Sequence, residues 1–348
     1  MKISSSLGSA IAFLLMAFTL GASQAQPDAA LASRIDEYLT GLEAKGFSGV
    51  VLITTPNGSV LYKAYGMADC KKKKLTIRMI FDLGSITKTF TAIAVLRLQV
   101  EGKLNLGDSI GRYLDDVPDD KRPITIEQLL RHTSGLLDSL GRDEDYVSKQ
   151  WLVNAALHSK LQSMPGVENH YSNVGYSLLA AIIERIKGES YETYLQKEIF
   201  QPAGVRIGYL RPRWKKGELA CGMRQGARWG NVTDYFTKGG PSWNLVGNGG
   251  MLSDAANLQQ WFSKLLNNKL LPESATAIYL DHITRPDHNG RKYIATSGAN
   301  LIFSSLYLHW LDEGVSIVLL TSNSEWPKEK VSAEIVREVA DSLPGPSR

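Results

Sequence analysis

A chain of 348 residues with 43% apolar content is long enough to bury a sizeable core, in one large domain or two intertwined ones. Its 39 basic and 35 acidic residues leave a net charge of +4, too mild to call for a nucleic-acid partner. The two cysteines, Cys70 and Cys221, and the six scattered histidines lack the spacing of a zinc site, so no metal and no other cofactor is expected.

In chain order, Lys2, an apolar run over residues 11–20 and the small residues of Ser23-Gln24-Ala25 read as a secretion signal covering residues 1–25. The run is too short to span a bilayer, and no cysteine follows it for lipid attachment. The mature chain, residues 26–348, is therefore expected in the periplasm or outside the cell, with no stable membrane anchor. There Cys70 and Cys221 either pair or stay as thiols, and the sequence leaves both open. The basic run Lys71-Lys72-Lys73-Lys74 reads as a solvated turn or edge strand.

Residues 29–45 have helical periodicity. Residues 49–54 and 59–65 are β-rich and separated by Pro56-Asn57-Gly58, a hairpin signal. Phe81-Asp82-Leu83 then leads into Gly84-Ser85-Ile86-Thr87-Lys88, the start of a helix predicted over 85–101 and stopped by Gly102. That helix is apolar on most sides (Ile86, Phe90, Ile93, Leu96, Leu98), which places it in the protein interior. Residues three apart share a helix face, so the Ser85 hydroxyl sits beside the Lys88 amine. A serine hydroxyl is a weak nucleophile until a base takes its proton, and a helix N-terminus favours an anion forming there. The spacing alone is weak evidence, because Ser85 would serve equally as a helix cap with Lys88 in solvent.

Residues 110–243 change character to helices and loops. Helices are predicted over 125–131, 143–158, 174–187 (ended by Gly188) and 191–200, and 226–247 reads as a Gly- and Trp-rich loop. Tyr171-Ser172-Asn173 lies at the entrance of the apolar 174–187 helix. A phenol held there is placed to relay the Ser85 proton to a leaving group, provided nearby cations lower its pKa. The plainer readings are a core aromatic for Tyr171 and an N-cap for Asn173. Beyond Ser253 come a helix over 255–266, a polar loop around Asp281-His282 and Asp287-His288, strands over 301–310 and 315–321, and a closing helix over 328–343. Strands at both ends with helices between them predict an α+β fold: an antiparallel sheet flanked by helices, built from about 26–109 and 244–348, with an all-helical subdomain inserted over about 110–243.

Ser85-Ile86-Thr87-Lys88 resembles the first motif of the serine hydrolases related to class C β-lactamases and penicillin-binding proteins, and Tyr171-Ser172-Asn173 resembles their Tyr-x-Asn motif. Leu129-Leu130-Arg131-His132-Thr133-Ser134-Gly135-Leu136 and Gly247-Asn248-Gly249-Gly250-Met251-Leu252-Ser253 are similar to recurring stretches of the same family, and the likeness runs over about 32–340. The resemblance implies the β-lactamase/transpeptidase-like fold. It also implies Ser85 as the acylated nucleophile, Lys88 as its base, Tyr171 as the second proton-transfer group and Asn173 as a substrate-side partner. The family's third motif falls by position on Thr296-Ser297-Gly298, on a strand lining the site, and the amide of Ala299 is implied to join that of Ser85 in an oxyanion hole. The motif departs from the family here, since Thr296 stands where a Lys or His is expected.

These residues imply an exported serine hydrolase acting through an acyl-enzyme on an ester or amide. Its substrate is a small molecule or peptide, a cell-wall-derived one included. Esterase or peptidase chemistry is favoured over β-lactam hydrolysis because Thr296 carries no charge. The alternative is a module that binds penicillin or cell-wall peptide with little turnover. An ordinary Ser-His-Asp hydrolase is disfavoured by the lack of a Gly-x-Ser-x-Gly elbow.

Overall fold

The structure is a computed structural model and describes residues 29–343 apart from 69–72, 225–226, 237–239 and 324. The segment read as a secretion signal, Cys70 and half of the basic run lie outside the described residues. In chain order the strands are β1 (Gly49–Thr55), β2 (Gly58–Tyr65), β3 (Phe81–Asp82), β4 (Gly222–Arg224), β5 (Ala227–Gly230), β6 (Leu252–Ser253), β7 (Thr284–Pro286), β8 (Lys292–Asn300), β9 (Phe303–Trp310) and β10 (Val315–Thr321). The α-helices are α1 (Ala29–Glu43), α2 (Thr87–Val100), α3 (Ile126–Leu130), α4 (Lys149–His158), α5 (Asn173–Lys187), α6 (Tyr191–Leu195), α7 (Ala255–Leu266), α8 (Glu273–Ile283) and α9 (Lys328–Ser342).

The main sheet has six strands in the order β2-β1-β10-β9-β8-β7, with every neighbouring pair antiparallel. Strands from the two ends of the chain meet at β1 and β10, where Val51 faces Leu319 and Ile53 faces Ile317. Side chains alternate between the two faces of a strand. Val51 and Ile53 therefore pack under α1 and α9, while Val50 and Leu52 join the larger core around α2 and α5. The short β3–β6 pair ties the start of the α2 segment to the chain returning from the helical region. Helices thus cover both faces of the sheet, as the order of predicted elements requires.

Several elements differ from the sequence reading. The helix expected over 143–158 begins only at Lys149, because Ser148 caps it by accepting from the Trp151 amide at 3.2 Å. The residues before it make their hydrogen bonds elsewhere: Ser242 donates to the Asp145 carbonyl, and Asn244 to that of Arg142. The stretch read as loop from 226 contains β5, which pairs with β4, so the inserted region is not wholly helical. Helix α8 takes up Asp281 and His282, where the sequence predicts loop, and ends at β7. The strand expected from 301 starts at Phe303, since Leu301 holds a left-handed turn conformation (φ 55°).

Candidate active site

The chain climbs β3 and turns sharply at Gly84 (φ 50°) into a 3₁₀ turn, Gly84–Ile86, from which α2 continues. Ser85 sits in that turn and caps nothing, so the plainer capping role is set aside. Glycine is required on both sides of this junction. A side chain at Gly84 would bring its Cβ within 2.6 Å of the Ala299 amide nitrogen, and one at Gly298 within 2.5 Å of the Ser85 amide nitrogen. The Ser85 turn and strand β8 therefore touch backbone to backbone. Asp82 locks them together: its carboxylate accepts the Gly84 amide at 2.7 Å and the side-chain amide of Asn300. Burial pushes that carboxyl up to about 7, against the pull of these two bonds.

One helical turn beyond Ser85, the Lys88 amine lies 3.3 Å from the Ser85 hydroxyl, 2.6 Å from Asn173 Oδ1 and 2.8 Å from the Asn248 carbonyl. Lys88 is buried, and desolvation brings its pKa down to about 7 although Asp138 and Asp143 pull the other way. A neutral amine has two N–H donors and one lone pair. Asn173 and Asn248 accept the two donors, which leaves the lone pair for Ser85. Asn173 is free for this because Ser172, not Asn173, caps α5 by accepting the Gly175 amide at 3.0 Å. The other end of the Asn173 amide donates to Asp138 at 3.0 Å. Asn248 is held by bonds from its own amide to Ser177 Oγ (2.8 Å) and to the Asn244 carbonyl (2.7 Å).

Tyr171 donates its hydroxyl proton to Ser85 Oγ at 2.8 Å. The residue is 46% exposed, while its ring packs on His132 and its hydroxyl reaches Ser85. The condition set for this phenol, a nearby cation lowering its pKa, is not met, although the Lys88 amine lies 4.7 Å from the ring centre. Desolvation raises its pKa, Asp138 and Asp143 add to the rise, and only the bond to Ser85 opposes it. Tyr171 is held as a neutral phenol, and the group tuned to near pH 7 is Lys88.

His132 was not singled out from the sequence as a site residue. Its ring stacks on Tyr171 (centroids 4.6 Å apart, planes at 29°) and lies 5.1 Å from the Tyr176 ring. Its Nδ1 accepts the Ser172 amide at 3.1 Å, and burial followed by the nearby Lys88 lowers its pKa to about 4. It is a neutral wall that fixes the Tyr171 ring. The signal that pointed near it was the stretch from Leu129 to Leu136.

Thr296, Ser297, Gly298 and Ala299 all lie on β8, where Gly298 and Ala299 touch the turn that carries Ser85. Strand β7 pairs with β8 only as far as Thr284 opposite Ile294, so β8 from Ala295 onward presents an edge with no described strand against it. Thr296 places no charge there. Of the two basic residues nearest in sequence, Arg291 is buried and paired with Asp287 at 2.8 Å, whereas Arg285 is exposed on β7. Among the described residues no group of three or more His, Cys, Asp or Glu side chains is arranged to hold a metal ion. Cys221 is buried and accepts a hydrogen bond from Arg228 at 3.1 Å.

The family model described as Beta-lactamase matches residues 31–340. The protein named flp of Staphylococcus aureus is 29% identical over 320 residues, which cover 83% of this chain and 63% of that protein, so the chain spans about three fifths of this curated relative's length. The structure of D-amino acid amidase from Ochrobactrum anthropi SV3 complexed with L-phenylalanine superposes with a TM-score of 0.74 at 22% identity, over 90% of this chain and 98% of that one. The octameric penicillin-binding protein homologue from Pyrococcus abyssi gives 0.75 at 22% identity, over 90% of this chain and 79% of that one.

Proposed function

The chain belongs to the β-lactamase family of serine hydrolases, and from that premise we propose that it cleaves an ester or amide through an acyl-enzyme on Ser85. The observation that carries this reading is Ser85 Oγ held between the Tyr171 hydroxyl, which donates to it at 2.8 Å, and Lys88 Nζ, 3.3 Å away. Neutral Lys88 takes the Ser85 proton as Oγ attacks the substrate carbonyl. The developing oxyanion is met by the amides of Ser85 and Ala299, which the Gly84–Gly298 contact brings side by side. Tyr171 hands its proton to the leaving group and is resupplied from protonated Lys88. Water then takes the place of the leaving group, and the same groups carry its proton as the acyl-enzyme is hydrolysed.

The uncharged Thr296 favours esters and amides over efficient β-lactam hydrolysis. The chemistry of residues 1–25 supports export to the periplasm or beyond, where a small-molecule or peptide substrate would be met. The test is a short-chain nitrophenyl ester together with a fluorophosphonate. The expected result is many turnovers per site and a single adduct by intact mass, both lost in Ser85→Ala. A burst of one equivalent with no steady rate would favour the alternative, a binding module with little turnover. An adduct that persists in Ser85→Ala would overturn the assignment of the nucleophile.

A further inference from the structure

The two amides that meet the oxyanion belong to separate pieces of backbone, the Ser85 turn and strand β8. Among the described residues no backbone hydrogen bond joins residues 82–86 to β8. Leu83 is tied elsewhere: its amide donates to the Met251 carbonyl at 2.8 Å, and its carbonyl accepts from Ser305 on β9 at 2.6 Å. The hydrogen bond that crosses from β8 to the turn runs from the Asn300 side-chain amide to Asp82. The other oxygen of Asp82 accepts the Gly84 amide. Gly84 directly precedes Ser85, and Asn300 directly follows Ala299. One carboxylate therefore holds the neighbour of each oxyanion-hole amide.

The position calls for a carboxylate in particular. Two N–H donors converge on it, and an ionised carboxylate accepts at both oxygens, whereas an amide of the same shape turns an N–H against one of them. Asp82 is 1% exposed and Asn300 4%. Among the described residues no cation offsets the burial of Asp82, which makes its charge costly to keep there. The remaining oxygen of Asn300, Oδ1, is buried with no hydrogen-bond partner among the described residues, so Asp82 is what orients that amide. Asp82 takes no part in the proton transfers described above. Resting on the acyl-enzyme reading, we propose that Asp82 is a positioning residue for the oxyanion hole, setting the spacing of the Ser85 and Ala299 amides through Gly84 and Asn300. Those amides must converge on an oxygen position that exists only once the carbonyl has become tetrahedral. Their spacing is therefore felt in kcat more than in substrate binding.

The experiment compares 4-nitrophenyl butanoate with its thionoester, in which sulfur replaces the carbonyl oxygen. It is run above about pH 8, where the Asp82 carboxyl and the Lys88 amine are largely deprotonated. Sulfur is larger and a poorer acceptor, so the oxygen-to-sulfur rate ratio reads the hole, and intrinsic reactivity cancels between variants. In Asp82→Ala, kcat for the oxygen ester should fall roughly thirtyfold, with KM within about twofold and the ratio shrunk about tenfold. Asn300→Asp sets two carboxylates against each other and should do as much. The exchanged pair, Asp82→Asn with Asn300→Asp, again gives each acceptor a donor and should recover most of the rate and the ratio. Asp82→Asn alone should lose less than Asp82→Ala, because Asn300 can turn its amide over to accept from it. Equal losses for the two substrates, or an exchanged pair no better than Asn300→Asp, overturns the proposal, since a purely structural tie would move the unfolding midpoint and leave the ratio alone. If neither Asp82→Ala nor Asn300→Asp folds, the tie is structural and the proposal falls. Wild-type turnover of the oxygen ester, and its loss in Ser85→Ala, tests the acyl-enzyme reading separately. Without that turnover both fall; with it, a ratio unchanged in the variants removes only the positioning role.

Discussion

The two faces of the main sheet are built on opposite principles. Under α1 and α9, Leu31, Ile35 and Leu39 meet Val331, Ile335 and Val339 over Val51, Ile53, Ile317 and Leu319, an apolar cluster. The opposite face carries a larger apolar core, yet Asp82, Thr87, Lys88, Thr91, Asn248 and Ser305 are also buried there. A buried polar group without a partner costs several kcal/mol, and each of these has one. Thr87 accepts the Met251 amide at 3.1 Å, Thr91 donates to the Gly247 carbonyl at 2.6 Å, and Ser305 donates to that of Leu83 at 2.6 Å. These partners are the loops that carry the site, so the polar groups of the inner face double as its scaffold. One face supplies stability through packing. The other gives up some of that to hold Ser85, Lys88 and Asn248 in register.

The sharpest way to break this comparison is Lys88→Ala. If the inner face exists for chemistry, turnover of a neutral ester should fall by about three orders of magnitude or more, in the range for loss of an essential general base, with the far-ultraviolet dichroism unchanged. Wild-type kcat/KM should rise as pH climbs toward about 7, roughly tenfold per unit on the acid side, because only neutral Lys88 can accept the Ser85 proton. The sign follows from burial, which depresses the folded pKa and so makes the neutral amine available near pH 7. A profile flat from pH 5.5 to 8 would remove Lys88 from the role of base.

Tyr171→Phe should be smaller, a loss of roughly a hundredfold in kcat with less change in KM, the usual contribution of one proton-transfer group. A loss under about threefold would make Tyr171 part of the wall with His132 and nothing more. The smallest effect on activity is expected from the outer face. Ile335→Ala should destabilise the fold by about 2–5 kcal/mol, as buried Ile→Ala changes do, read as a lower midpoint in urea, while kcat/KM at 25 °C stays within about twofold. A large loss of activity in the folded variant would mean that the two faces are not separable.

How much of this was legible in the sequence depends on how local each feature is. Ser85 and Lys88 are three residues apart, so one turn of helix was enough to bring them together. The Pro56-Asn57-Gly58 turn, the glycine stops at Gly102 and Gly188 and the span of α7 are likewise set by neighbours in the chain. The helix expected from 143 failed for the complementary reason. Its first residues hydrogen-bond to Ser242 and Asn244, about a hundred positions away, and no local propensity reports that.

By itself the sequence determined the α+β class, the antiparallel sheet from both chain ends, the motif residues Ser85, Lys88, Tyr171 and Asn173, and the missing charge at Thr296. The tertiary structure alone decided which of these groups titrates near neutrality. Desolvation depends on everything packed around a group, and it lowers Lys88 while raising Tyr171, the reverse of what cationic activation of the phenol would give. It also decided that a backbone carbonyl, that of Asn248, is one of the two acceptors orienting Lys88, since a main-chain atom leaves no mark in residue identity. And it separated Arg285 from Arg291, equally basic in the sequence, by burying one against Asp287 and leaving the other exposed on β7.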